Sequence, residues 1–214
     1  MELKIKGFED REWIPERFAF GVPDPEKHMR FGENRNPRLD WHGSPPGTRS
    51  LILIVHDDDV PASAEDVNRE GCTIPHDFPR TRFYHWVSVD LPPGVEEILE
   101  AASSRGVTPR GKRQMMGPKG GRRGLNSFTE FFEGNPEMAG KYFGYDGPCP
   151  PWNDERMHHY HFTFYATDFD PFPLEGEFTG AQVEAALEGH VLDSARITGC
   201  YSLYPPLLAE RPGK

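Results

Sequence analysis

Three stretches of the chain hold enough apolar or aromatic character to read as the main strands. Leu51-Ile52-Leu53-Ile54-Val55 is apolar at every position, which places it centrally in a sheet with both faces covered. It runs into His56 and the acidic Asp57-Asp58-Asp59-Val60-Pro61, expected to be the turn that ends it. Phe83-Tyr84-His85-Trp86-Val87-Ser88-Val89 is a second strand, closed by Leu91-Pro92-Pro93. Strict alternation puts Phe83, His85, Val87 and Val89 on one of its faces and Tyr84, Trp86 and Ser88 on the other. His158-His159-Tyr160-His161-Phe162-Thr163-Phe164-Tyr165 is the third, with His158, Tyr160, Phe162 and Phe164 on one face and His159, His161, Thr163 and Tyr165 opposite.

Shorter strands are expected at Leu3–Ile5, at Leu39-Asp40-Trp41 and from Arg196 to Tyr204. Helical signals are few. Val95 to Ala102 is amphipathic, and Thr129 to Phe132 and Pro136 to Gly140 suggest single turns. Thr179 with Gln182 forms a capping box for a helix from Ala181 to Glu188, with Gly189 suited to its C-terminal end. No repeat or linker interrupts the pattern. The expectation is a single domain over residues 1–214, mainly β, built as an antiparallel, Greek-key-like sandwich with short peripheral helices.

Composition narrows the function. The 24 basic and 34 acidic residues give a net charge of −10, which repels nucleic acid and anionic membrane surfaces, so no specific nucleic-acid partner is expected. No apolar run is long enough for a transmembrane segment, and Met1 to Lys6 lacks a signal-peptide core, which points to a cytoplasmic protein. Three cysteines, Cys72, Cys149 and Cys200, cannot all pair and fit no zinc spacing; they are expected as thiols. Against the acidic background, residues 103–127 carry seven cations and no acid, a basic loop able to meet anionic partners but more simply a solvated face.

Candidate chemistry gathers at Gly147-Pro148-Cys149-Pro150-Pro151, a proline-stiffened loop leading to His158 and Tyr160. Together with Asp57-x-Asp59-x-Pro61 and His85-Trp86, in this order, these residues resemble the phosphatidylethanolamine-binding proteins, also called Raf-kinase-inhibitor-like proteins. The compact Gly-Pro-Cys-Pro-Pro loop is similar to the bacterial branch. The resemblance spans most of the chain. It departs at His159, where arginine usually stands in the family.

The resemblance implies a large antiparallel β-fold and an anion site lined by Asp57, His85, His158 and Tyr160, walled by Pro150 and Pro151, with Asp59, Pro61 and Gly147 completing its motifs. Imidazoles and a tyrosine hydroxyl can donate to a phosphate oxygen, and the Asp57 carboxylate would orient an imidazole and raise its pKa. The expected function is non-enzymatic binding of a small anion or phosphorylated head group: phosphate, phosphoethanolamine or a phospholipid head group. No cofactor and no metal ligand are assigned, and a kinase or hydrolase partner is conceivable. Exposed sheet edges leave monomer and homodimer both open.

Two alternatives stand beside this reading. One is an interaction module that inhibits a kinase or hydrolase through a surface loop. The other is a metal-dependent hydrolase, using the acidic Asp57–Asp59 run or the histidines near His158. Strand alternation weighs against the second, because His159 and His161 face away from His158. A cis peptide bond in the 147–151 loop is compatible with its prolines.

Overall fold

The computed structural model describes residues 1–211. Its strands are β1 (Glu2–Lys6), β2 (Gly21–Asp24), β3 (His28–Phe31), β4 (Arg38–His42), β5 (Ser50–Pro61), β6 (Arg80–Leu91), β7 (Glu97–Ile98), β8 (Arg122–Arg123), β9 (His158–Thr167) and β10 (Val191–Tyr201). The helices are short: α1 (Phe128–Phe131), α2 (Gly180–Ala186) and α3 (Pro205–Ala209). The strands form a five-stranded sheet in the order β10-β9-β5-β6-β8, a three-stranded sheet β1-β4-β7 and the hairpin β2-β3, all antiparallel.

The unbroken apolar run of β5 explains its central place. Leu51, Leu53 and Val55 face the three-stranded sheet, where they pack with Leu39, Trp41, Phe162 and Phe164. Trp41 stacks on Phe164 with ring centroids 4.2 Å apart. Ile52 and Ile54 face the other way, onto Val183 and Leu187 at α2 and onto Phe172 and Phe178. The Thr179–Gln182 capping box forms as expected and fixes the start of α2. The mainly β sandwich is therefore as the alternation indicated.

Local readings fail where tertiary pairing competes. Val95 to Ala102 is not a helix. Leu39 pairs with Ile98 and Asp40 with Glu97, and Ile98 is fully buried in the core. One short amphipathic turn stabilises less than completing a sheet edge and sealing an isoleucine. The Asp57–Pro61 run is not a turn either; β5 continues through it because β6 extends back to Arg80 and pairs with Pro61. The expected final strand begins earlier, at Val191. The cis peptide bond is at Asp170–Pro171, not in the 147–151 loop.

The basic loop is partly internal. Lys112 binds the buried Asp146, Arg122 binds Asp90 and the Phe172 and Leu174 carbonyls, and Arg123 is buried. Arg105, Arg110 and Arg113 remain exposed. Among the described residues no helix is long and apolar enough to cross a membrane.

Candidate functional site

At one end of the five-stranded sheet the three motif-bearing strands run side by side. Asp57 on β5 pairs with Tyr160 on β9 and with Phe83 on β6. His158 lies two residues before Tyr160, so strand alternation sends both side chains the same way.

His85 needs a different device. Val55 pairs with Trp86 and His56 with Tyr84, so the register shifts by one and His85 is the surplus residue of a β-bulge. The bulge breaks the expected alternation. Trp86 sits in the core with Val55, while Val87 and Val89 lie on the far face with Ile54. His85 is thereby aimed toward Tyr160, with ring centroids 5.0 Å apart at near-perpendicular tilt.

The two imidazoles serve differently. His158 is fully buried, with Nδ1 2.7 Å from Asp57 Oδ2 and Nε2 3.1 Å from Asp154 Oδ2. Arg80 closes this chain of charges, donating to Asp154 at 2.5 and 3.1 Å. Burial alone would push the His158 imidazole down, but the Asp57 charge and the bonds to both carboxylates outweigh it and hold its pKa up at about 9. Both nitrogens of this cation are therefore committed within the protein. The second oxygen of Asp57 accepts from the Asp59 backbone N–H at 2.7 Å.

His85 uses one nitrogen only. Its Nδ1 donates to the Asp146 carbonyl at 2.8 Å, and among the described residues no group bonds Nε2. Burial lowers its pKa, despite the Asp57 charge, so the neutral ring presents a lone pair at Nε2. Asp146 is itself anchored by Asn34, Lys112 and Asn126, which fixes the carbonyl that orients His85.

Asp57, His85, His158 and Tyr160 form the floor of a cavity of about 310 Å³. Above them the walls are apolar: Phe20, Phe83, Phe128, Phe132, Met29, Met138, Val60 and Val67. Phe20, Phe128 and Phe132 form a triangular cluster, Phe128 stacking on the other two at 4.6 and 5.5 Å between centroids. Phe31 and Phe131 are about half exposed and also line the cavity. Cys149 contributes a wall, and burial pushes its thiol up to about 12, so it is no nucleophile at neutral pH.

Seven of the nine expected site residues, Asp57, Pro61, His85, Pro150, Pro151, His158 and Tyr160, line this cavity; Asp59 and Gly147 do not. The Asp59 carboxylate turns away to the His159 backbone and ring and to Arg156. Gly147 lies behind the wall, where a Cβ would come within 2.0 Å of the Phe18 carbonyl oxygen. No side chain fits there, so its role is to let the loop approach the chain leading into β2.

The sequence did not point to Asp154, Arg80 or Asp146, whose partners lie far away in the chain or come from a loop. The aromatic wall left a trace in Phe128-Thr129-Glu130-Phe131-Phe132, which reads only as a helical turn.

Residues 4–202 match the family model described as Phosphatidylethanolamine-binding protein. The chain belongs to the phosphatidylethanolamine-binding protein family. Relatives include a UPF0098 protein of Methanothermobacter thermautotrophicus, 30% identical over 94% of this chain and 98% of its own length. Another, from Chlamydia muridarum, is 31% identical over 86% of this chain and 93% of its own. Among solved structures, Escherichia coli YbcL, titled a new member of the mammalian PEBP family, superposes with a TM-score of 0.66 at 24% identity, covering 94% of this chain and 97% of that one. Likeness at that identity speaks for the fold. Family membership makes this a ligand-binding fold, and the cavity built on the three family motifs is its candidate binding site.

Proposed function

We propose that the protein is a non-enzymatic receptor for a small amphiphilic phosphate, with the phosphoryl group at the His85 floor and the apolar part between the phenylalanines. The observation that carries this reading is the open imidazole nitrogen, His85 Nε2, at the base of a cavity walled mainly by aromatic and aliphatic side chains, with Asn68 and Asn135 among the few polar ones. Pockets of this size with few convergent polar groups suit small ligands.

The tautomer adds a chemical condition. Nε2 of the neutral ring is an acceptor, so an anion binds there only with a proton, carried by the imidazole or by the phosphate. Phosphate monoesters titrate near pH 6, close enough to hold that proton between the two groups. His158 acts one step back, keeping Asp57 neutralised and fixed. The site offers binding without an evident nucleophile, since the Cys149 thiol is held protonated.

The test is calorimetry with phosphoethanolamine, ethanolamine and a short-chain lysophosphatidylethanolamine, in buffers of different ionisation enthalpy. Binding of both phosphates but not of ethanolamine is expected, tightest for the chain-bearing ligand and accompanied by proton uptake. Ethanolamine binding as well as phosphoethanolamine, or wild-type binding by His85→Ala, overturns it.

A further inference from the structure

The opposite face of the same strands holds a second cluster that the cavity does not use. His56 and His161 are direct partners across β5 and β9, with ring centroids 5.1 Å apart. Asp58 lies two residues beyond His56 on β5, and its Oδ2 is 3.5 Å from His56 Nε2. One ligating atom from each of the three residues lies within 4.8 Å of the other two. The two carbon–nitrogen rings and the carboxylate thus converge from three backbone positions on adjacent strands, a rigid base for a coordination site.

Hydrogen bonding singles out this cluster. His56 is 1% exposed, yet its Nδ1 has no partner and its Nε2 meets only the distant Asp58 oxygen. A sealed imidazole normally finds bonds for its nitrogens, so His56, with Nδ1 unbonded and Nε2 turned only to a loosely placed carboxylate beside a second histidine, is short of a partner. His161 is already oriented as ligands commonly are: Nδ1 is 2.8 Å from Thr198 Oγ1, leaving Nε2 free. Asp58 is 44% exposed at its side chain, so the cluster opens to solvent and an ion can enter.

Arg82 is bonded to Asp58 at 2.6 and 3.0 Å, and Arg196 stands near His161, donating to Thr163 Oγ1 at 2.9 Å. Glu184 holds the same guanidinium with two bonds, at 2.7 and 2.8 Å, and also accepts from Tyr84. Asp58 and Glu184 together outnumber Arg82 by one negative charge, which offsets that arginine beside the cluster.

We propose that His56, Asp58 and His161 form a binding site for a divalent first-row transition ion of the zinc class. Two imidazoles and one carboxylate suit zinc or ferrous iron, and the three protein ligands leave a coordination position for water. Calcium and magnesium prefer oxygen-rich shells and are poor matches. The site stands back to back with the cavity, and nothing in its argument depends on what the cavity binds.

The test uses untagged protein stripped of metal with chelator, dialysed against zinc or cobalt with calcium and magnesium as controls. One zinc per chain and a visible cobalt absorption band, with no calcium or magnesium retained, are expected. His161→Ala is the primary variant because His161 is only half buried and its removal leaves the core intact. It should lower zinc affinity by about tenfold or more and abolish the cobalt band, as should Asp58→Asn. His159→Ala removes a same-face histidine outside the cluster and should bind as wild type does. Circular dichroism confirms that each variant is folded. No retained zinc in the wild-type protein, or unchanged zinc affinity in folded His161→Ala and Asp58→Asn, overturns the proposal.

Discussion

The two faces of the β5–β9 ladder present buried histidines with opposite fates. On the cavity face His158 is gripped at both nitrogens by Asp57 and Asp154 and carries a charge. On the far face His56, as deeply buried, bonds nothing at Nδ1 and stays neutral. Burial acts on both rings in the same direction; the number of carboxylates in contact decides the outcome. The difference teaches that a histidine fully satisfied by its own protein is a strut, and that the rings left short of partners, His85 and His56, are the ones to question for ligands.

Removing the strut should have the largest effect. His158→Ala leaves Asp57 and Asp154 buried beside an empty space, and breaking a buried pair in this way costs about 3–5 kcal/mol. Denaturant unfolding at neutral pH measures it, and a loss under about 1 kcal/mol would show that the charges hold no such energy. The same comparison can be sharpened with pH. The folded pKa of His158, about 9, exceeds the unfolded value of 6.5. Its contribution is therefore complete below pH 6.5 and disappears as pH rises through 9, a loss of roughly 3 kcal/mol by linkage. Wild-type stability should fall across that window, and a His158→Gln variant should lack this component.

Smaller effects are expected where the ring is under-bonded. His85→Gln should weaken phosphoethanolamine binding by about tenfold, close to 1.4 kcal/mol, with little change in thermal midpoint. On the far face, His161→Val should shift stability by less than about 1 kcal/mol in metal-free protein, since only the bond to Thr198 is lost and valine suits a strand. If His161→Val proves as damaging as His158→Ala, the contrast between the faces fails.

Much of this was legible in the sequence. The apolar run Leu51–Val55 located the central strand, and three short motifs named seven of the residues on the cavity floor and wall. The remainder depended on pairing partners that no local pattern specifies. A period-two reading could not show that β6 holds one residue too many at His85, because the bulge is defined by the strand opposite. Asp154 reads as an ordinary loop acid until His158 and Arg80 are placed against it. Residues Val95–Ala102 keep an amphipathic pattern whether they coil into a helix or, as here, lend Ile98 to a sheet edge.

The surplus residue in β6 carries a last consequence. Deleting His85 would remove the register shift between Val55 and His56, and that stretch of the ladder would become more regular. The repaired weave would also lose the one imidazole nitrogen left open to the cavity, leaving a floor of Asp57, His158 and Tyr160 with no ring nitrogen to share a proton with a phosphate. Selectivity in this molecule is thus tied to an irregularity in its hydrogen-bonded fabric, and a sequence optimised only for a smoother sheet would erase it.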